Sequence, residues 1–245
     1  MMQLLHTGAG ELRKAWGLPG VSRTILIGLV GVIVTVSFAV LQEQRFAELD
    51  RSGDTGGLHG TDWSLLILNI AQIVPILLGA WIFGQDNGVG PRRRLLLTTP
   101  RRGRVWAAKT FVVLAVTLLA AVVCVAAALS PPLLLSDAPG RPGGLLAPFL
   151  WLTLYWPFVA LLSASLAVVF RSMVGAVVPL LVWVLGLSDI LKAQVPALGW
   201  AFDQVFKTAY LGGVAPSAGQ LGAVAVQGAV AAAAGLVLLL RRDTN

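Results

Sequence analysis

Few residues in this chain have the types and spacing that covalent chemistry requires. Its two histidines, His6 and His59, and its single cysteine, Cys124, are too scattered for a metal cluster, and a lone cysteine excludes an intrachain disulfide. No G-x-x-x-x-G-K-S/T, H-E-x-x-H or G-x-S-x-G occurs, and Lys109 has no glycine loop before it. Nucleotide hydrolysis, zinc-dependent hydrolysis and serine-nucleophile catalysis therefore lack their parts, and the chain reads as a non-enzyme with no cofactor or metal of its own. The remaining candidates are polar side chains inside long apolar runs, because burying polarity in hydrocarbon is costly, roughly 2.5–3.5 kcal/mol for a charge at the bilayer centre. Asn69 and Gln72 stand three apart, on one helical face just ahead of Pro75. Thr35 and Ser37 lie in the outer half of the first run, and Gln227 sits near the middle of the last. Their chemistry is hydrogen bonding, either between helices or along a path for a solute. Asp189, close to the end of the fifth run, reads as solvated.

The elements that position these residues follow from composition. Of 245 residues, 57% are hydrophobic and 12% charged, a balance suited to lipid rather than water. Crossing a hydrocarbon core of roughly 30 Å takes about 20 apolar helical residues. Such runs recur near 24–42, 64–84, 107–129, 146–170, 172–191 and 217–240. The expected fold is an all-α, polytopic membrane protein with six spans in one transmembrane domain. The fourth and fifth runs abut at Phe170-Arg171-Ser172, which leaves room only for a tight helical hairpin with Arg171 at the membrane surface. Pro75, Pro157 and Pro179 are expected to kink spans two, four and five. Cys124 reads as a small buried hydrophobe.

Charge orients the spans. Thirteen basic residues, Lys109 included, fall on the side of the N-terminus and five on the other, so the positive-inside rule gives N-in, C-in. The net charge of +7 is accounted for by topology and anionic lipid, and nucleic acid is set aside. Trp63, Trp151, Tyr155 and Trp156 fall toward outer ends and Trp16, Trp81 and Trp106 toward inner ends, the pattern of interfacial belts. The first 23 residues carry Glu11, Arg13, Lys14 and Arg23 without a long apolar run, which predicts an uncleaved first anchor. Residues 8–20 predict a basic interfacial helix, with Leu12 and Trp16 at i, i+4. Residues 196–210 space Leu198, Phe202, Val205, Phe206 and Ala209 as a short outer or re-entrant helix ahead of span six. Arginine outnumbers lysine amid abundant Ala, Gly, Val and Leu, a bias of GC-rich bacterial genomes, so the expected location is a bacterial plasma (inner) membrane.

The inner loop, 85–106, has an internal logic of its own. Gly88 and Gly90 permit a break after span two, and Pro91 suits the first turn of a short helix. Arg92, Arg93 and Arg94 then face water or headgroups while Leu95, Leu96 and Leu97 supply an apolar surface. Thr99 and Pro100 read as a second N-cap and first turn, leading through Arg101, Arg102, Arg104 and Trp106 into span three. Such a loop either lies on the membrane as a topological anchor or offers its leucines to a cytoplasmic partner.

The order of an acidic residue, a glycine, Leu-Leu, Thr-Pro, basic residues and a lysine opening the next span resembles the first cytoplasmic loop of ABC-2-type permeases, membrane subunits of ATP-binding-cassette exporters with a type V exporter-like fold. The matching positions are Asp86, Gly90, Leu96, Leu97, Thr99, Pro100, Arg101, Arg102 and Lys109. The six-span, N-in, C-in layout with an outer helix before span six extends the resemblance over essentially the whole chain. The family more often has glutamate at the Asp86 position with charged residues after it, where this chain has Asn87 and Gly88. The resemblance implies a dimeric permease, paired with itself or a sibling, that binds two copies of a separate ATPase carrying ATP and Mg. The loop is then the coupling helix. No intramembrane charge ladder is visible, so ion coupling has no evident carrier. A path this apolar suits a lipid, a hydrophobic antibiotic or an amphipathic peptide. A membrane anchoring or assembly protein and a secondary transporter are the alternative readings.

Overall fold

The computed structural model describes residues 19–49, 60–85, 102–135 and 146–183, with isolated positions at 10, 12, 13, 17, 194, 222, 226, 229–230, 233–234 and 237. The described residues are helical apart from short joints. The elements are α1 (Pro19–Leu49), α2 (Gly60–Ile70), α3 (Ile73–Gly84), α4 (Arg102–Leu135), α5 (Leu146–Phe170) and α6 (Met173–Val182). Four stretches are long and apolar enough to cross a bilayer: Pro19–Gln42, Trp63–Gly84, Val105–Leu135 and Phe149–Phe170. The protein therefore has the character of a multi-pass membrane protein.

Surface chemistry points the same way. α1 buries a narrow stripe, Val21, Val32, Val36 and Val40, and presents Leu26, Ile27, Val34 and Phe38 outward. Only 17% of its most apolar stretch is buried, against 61% for Trp63–Gly84. Apolar faces of this extent are incompatible with water and natural in lipid.

Contacts between helix ends show successive spans running in opposite directions. At one end Gly20 of α1 meets the Trp81 ring of α3, Phe83 meets Trp106 of α4, and Gly84 meets Met173 of α6. At the other end, Gln44 of α1 donates a hydrogen bond to the Leu135 carbonyl, and Ser64 of α2 donates to the Ala128 carbonyl of α4. The core is one continuous cluster centred on α3, which α4 and α5 enclose. α3 and α5 pack backbone to backbone at Gly79, whose missing side chain lets the Ala160 backbone approach; a Cβ there would lie 2.9 Å from the Ala160 carbonyl carbon. Beside this contact Ser163 donates to the Ile76 carbonyl at 2.6 Å.

The prolines behave differently from one another. Span two is interrupted at Ala71–Gln72, between α2 and α3, because Pro75 has no N–H for the Ala71 carbonyl; the Val74 N–H serves it instead at 2.9 Å. α5 and α6 continue through Pro157 and Pro179 without a break in the helix. Span three extends to Leu135 instead of ending near 129, carrying Pro131 and Pro132 inside it. These prolines orphan the Ala127 and Ala128 carbonyls, which would each accept from the residue four positions on. Two hydroxyls replace the missing donors: Ser130 to Ala127 at 2.8 Å and Ser64, from α2, to Ala128 at 2.7 Å. In hydrocarbon no water performs this role.

That arrangement makes a prediction. Ser64→Ala is expected to lower stability in detergent by about 1 kcal/mol, the scale of an interhelical hydrogen bond in a membrane protein. In a Pro132→Ala background, where the restored backbone N–H serves the same carbonyl, the loss should shrink toward zero. A double-mutant cycle by denaturant unfolding measures the difference.

The joint between α5 and α6 is a tight corner. Arg171 takes φ 52°, the left-handed region, and Ser172 caps α6 by accepting the Gly175 N–H at 3.2 Å. A Cβ at Gly175 would sit 3.0 Å from that of Phe170, so glycine permits the corner to close. Of the expected interfacial helix, Gly10, Leu12 and Arg13 are helical, Gly17 N–H donates to the Arg13 carbonyl, and Leu12 packs on the core. Cys124 is buried. Span five is described as the ten residues of α6; its remainder, span six apart from isolated positions, and the 196–210 helix lie outside the described residues.

Candidate functional site

Two places concentrate polarity. The first is where α3 ends and α4 begins, on either side of the 86–101 segment. Phe83 stands in the last turn of α3, and Trp106 and Lys109 stand one turn apart near the start of α4. The Phe83 and Trp106 rings meet edge to face at 65° with centroids 4.9 Å apart. The Lys109 ammonium lies 5.5 Å from the Phe83 ring centre although the residue is only 4% exposed. A desolvated cation over an aromatic face contributes about 2 kcal/mol. Gln85 closes α3, its Nε2 donating to the Ile82 carbonyl at 3.1 Å. The three side chains pin both ends of the loop to one spot, at the end of the molecule that also carries Arg23 and Arg171.

The loop's interior lies outside the described residues: Asp86, Gly90, Arg94, Leu95, Leu96, Leu97, Thr99, Pro100 and Arg101 are not placed. Arg102 opens α4. Phe83 and Trp106 were not singled out as a pair by sequence reading. Their signal was available, as aromatics flanking a basic loop at the ends of consecutive apolar runs.

The second place is the interruption of span two. Gln72 is 0% exposed, and its Nε2 donates to Asn69 Oδ1 at 2.6 Å. Gln72 Oε1 is buried with no hydrogen-bond partner among the described residues. The sequence places these two amides on one face, and the structure joins them. Thr35 does not join them. It is exposed on α1, donates to the Gly31 carbonyl of its own helix at 2.7 Å, and lines a groove against Ile67, Ile70 and Val74. Its hydroxyl proton is taken by its own backbone, and it faces the groove that Ile70 and Ala71 also line. Gln227 lies outside the described residues.

The belt assignment also needs correction. Trp156 is 0% exposed and Trp106 is buried, so both belong to the core and not to an interfacial belt. Their spacing in the sequence is the same for either role, and only the packing of α4 and α5 against the other helices decides. Among the described residues no group of three His, Cys, Asp or Glu side chains is arranged to hold a metal. Compared with known proteins, the chain matches no family model, no curated protein and no solved structure.

Proposed function

We propose that this chain is the permease subunit of an ATP-binding-cassette exporter of the ABC-2 type, driven by a separate cytoplasmic ATPase that binds two to a permease dimer. The supporting observation is the loop: a segment with the order of the family's coupling loop, 85–106, whose two ends converge on Phe83, Trp106 and Lys109. A loop anchored at both ends on buried residues transfers a push on its tip into two spans at once. The basic residues at this end favour the cytoplasmic side, which makes six spans with N-in and C-in the preferred topology in a bacterial plasma membrane. The apolar spans favour a hydrophobic or amphipathic cargo, such as a lipid, antibiotic or peptide.

Co-purification tests the reading. The tagged chain, expressed with its neighbouring genes and extracted in mild detergent, should retain a P-loop ATPase near one per permease, with ATP hydrolysis that rises in the complex. Recovery of the chain alone, or with a partner lacking a P-loop, would favour the anchoring or secondary-transporter reading.

A further inference from the structure

Between α1 and span two runs an apolar groove of about 320 Å³, lined among others by Thr24, Ile27, Gly28, Gly31, Thr35 and Ile70. The hydroxyls of Thr24 and Thr35 donate to the Gly20 and Gly31 carbonyls at 2.7 Å, so neither threonine has a free donor to offer an occupant and the lining is almost wholly apolar. Gly31 deepens it, since a Cβ there would meet nothing within 4 Å. From Thr24 to Thr35 the groove extends about 16 Å at 1.5 Å per residue. That is about the depth of one leaflet of a 30 Å hydrocarbon core. At its N-terminal end Arg23 is exposed, one turn before Ile27 on the same ridge of α1. Helical side chains lean toward the N-terminus, which carries this guanidinium toward the headgroups.

The geometry points to a binding site for one anionic phospholipid, its acyl chain in the α1–span two groove and its phosphate at Arg23. The site is independent of the transport reading. An apolar slot one leaflet deep with a cation at its surface end matches an anionic lipid better than a zwitterionic one, whose own cation opposes Arg23.

The test uses the full chain with Cys124→Ala in nanodiscs. A bimane label is placed at the groove rim through Ile27→Cys, or at Leu26→Cys on the other side of Arg23. Quenching by acyl-brominated phosphatidylglycerol is compared with that by phosphatidylcholine bearing the same chains. At position 27 about a fivefold preference for phosphatidylglycerol is expected, the effect of one arginine near an anionic surface. The preference should be near unity at position 26, and Arg23→Gln or Gly31→Leu should each bring position 27 to unity. Equal preference at both labels would show headgroup attraction without a groove site and overturn the proposal. So would its persistence in Arg23→Gln. Quenching at 26 but none at 27 would overturn it too, by showing that protein, such as the 217–240 segment or a second copy, fills the groove.

Discussion

A chain carrying Leu96→Asp and Leu97→Asp is expected to insert and fold normally while losing its ATPase. If the loop docks as a coupling helix, these leucines are its central apolar anchors, and each buried anchor of an interface contributes about 2 kcal/mol or more. Two together correspond to roughly a thousandfold in affinity, at about 1.4 kcal/mol per tenfold. Charges at the same positions add desolvation cost. Insertion should be unaffected, because the loop lies outside the four spans seen here. The measurement is ATPase recovered per permease on pull-down, with thermal unfolding of the purified variant as the control. Undiminished recovery would place the docking surface elsewhere.

The second large effect is expected inside the membrane. Gly79→Leu should lower the unfolding temperature in detergent by about 6–12 °C, from roughly 3 kcal/mol of overpacking at 2–4 °C per kcal/mol. The obstruction is the Ala160 backbone, which has no rotamer with which to yield. Gly31→Ala is the matched comparison: a helix-favouring change in open space should leave the unfolding temperature the same or slightly higher. Equal behaviour of the two variants would mean that α3 and α5 pack less closely than described.

The contrast between these glycines shows what was legible in the sequence. Apolar runs alone placed four spans, since length and hydropathy are local properties, and the corner at Phe170-Arg171-Ser172 was legible because no other geometry fits so short a joint. The pairing of Asn69 with Gln72 followed from helical periodicity. What escaped was whatever a second helix decides. The third apolar run ended near 129 in the sequence, whereas the helix continues through Pro131 and Pro132 with one orphaned carbonyl served locally by Ser130 and the other by Ser64, more than sixty residues earlier in the chain. Trp156 at a belt spacing is core because α5 is enclosed there. At the candidate site the meeting of Phe83 with Trp106 and Lys109 was not legible, because it depended on how the ends of α3 and α4 approach.

The interruption at Ala71–Gln72 divides the second span into two rods with different attachments. The upper rod, α2, is tied to α4 through Ser64 and Ala128; the lower, α3, is fastened to α5 through Ile76 with Ser163 and Gly79 with Ala160. Between them the backbone ladder tightens without breaking, the Gln72 N–H donating to the Asn69 carbonyl and the Val74 N–H to the Ala71 carbonyl, while Ala71 and Ile76 keep partners four residues back. The two segments of the second span thus share α4, through Ser64 and through Phe83, while α3 is also fastened to α5, so a change at the Gly79–Ala160 contact bears directly on the half of the span that ends at Phe83.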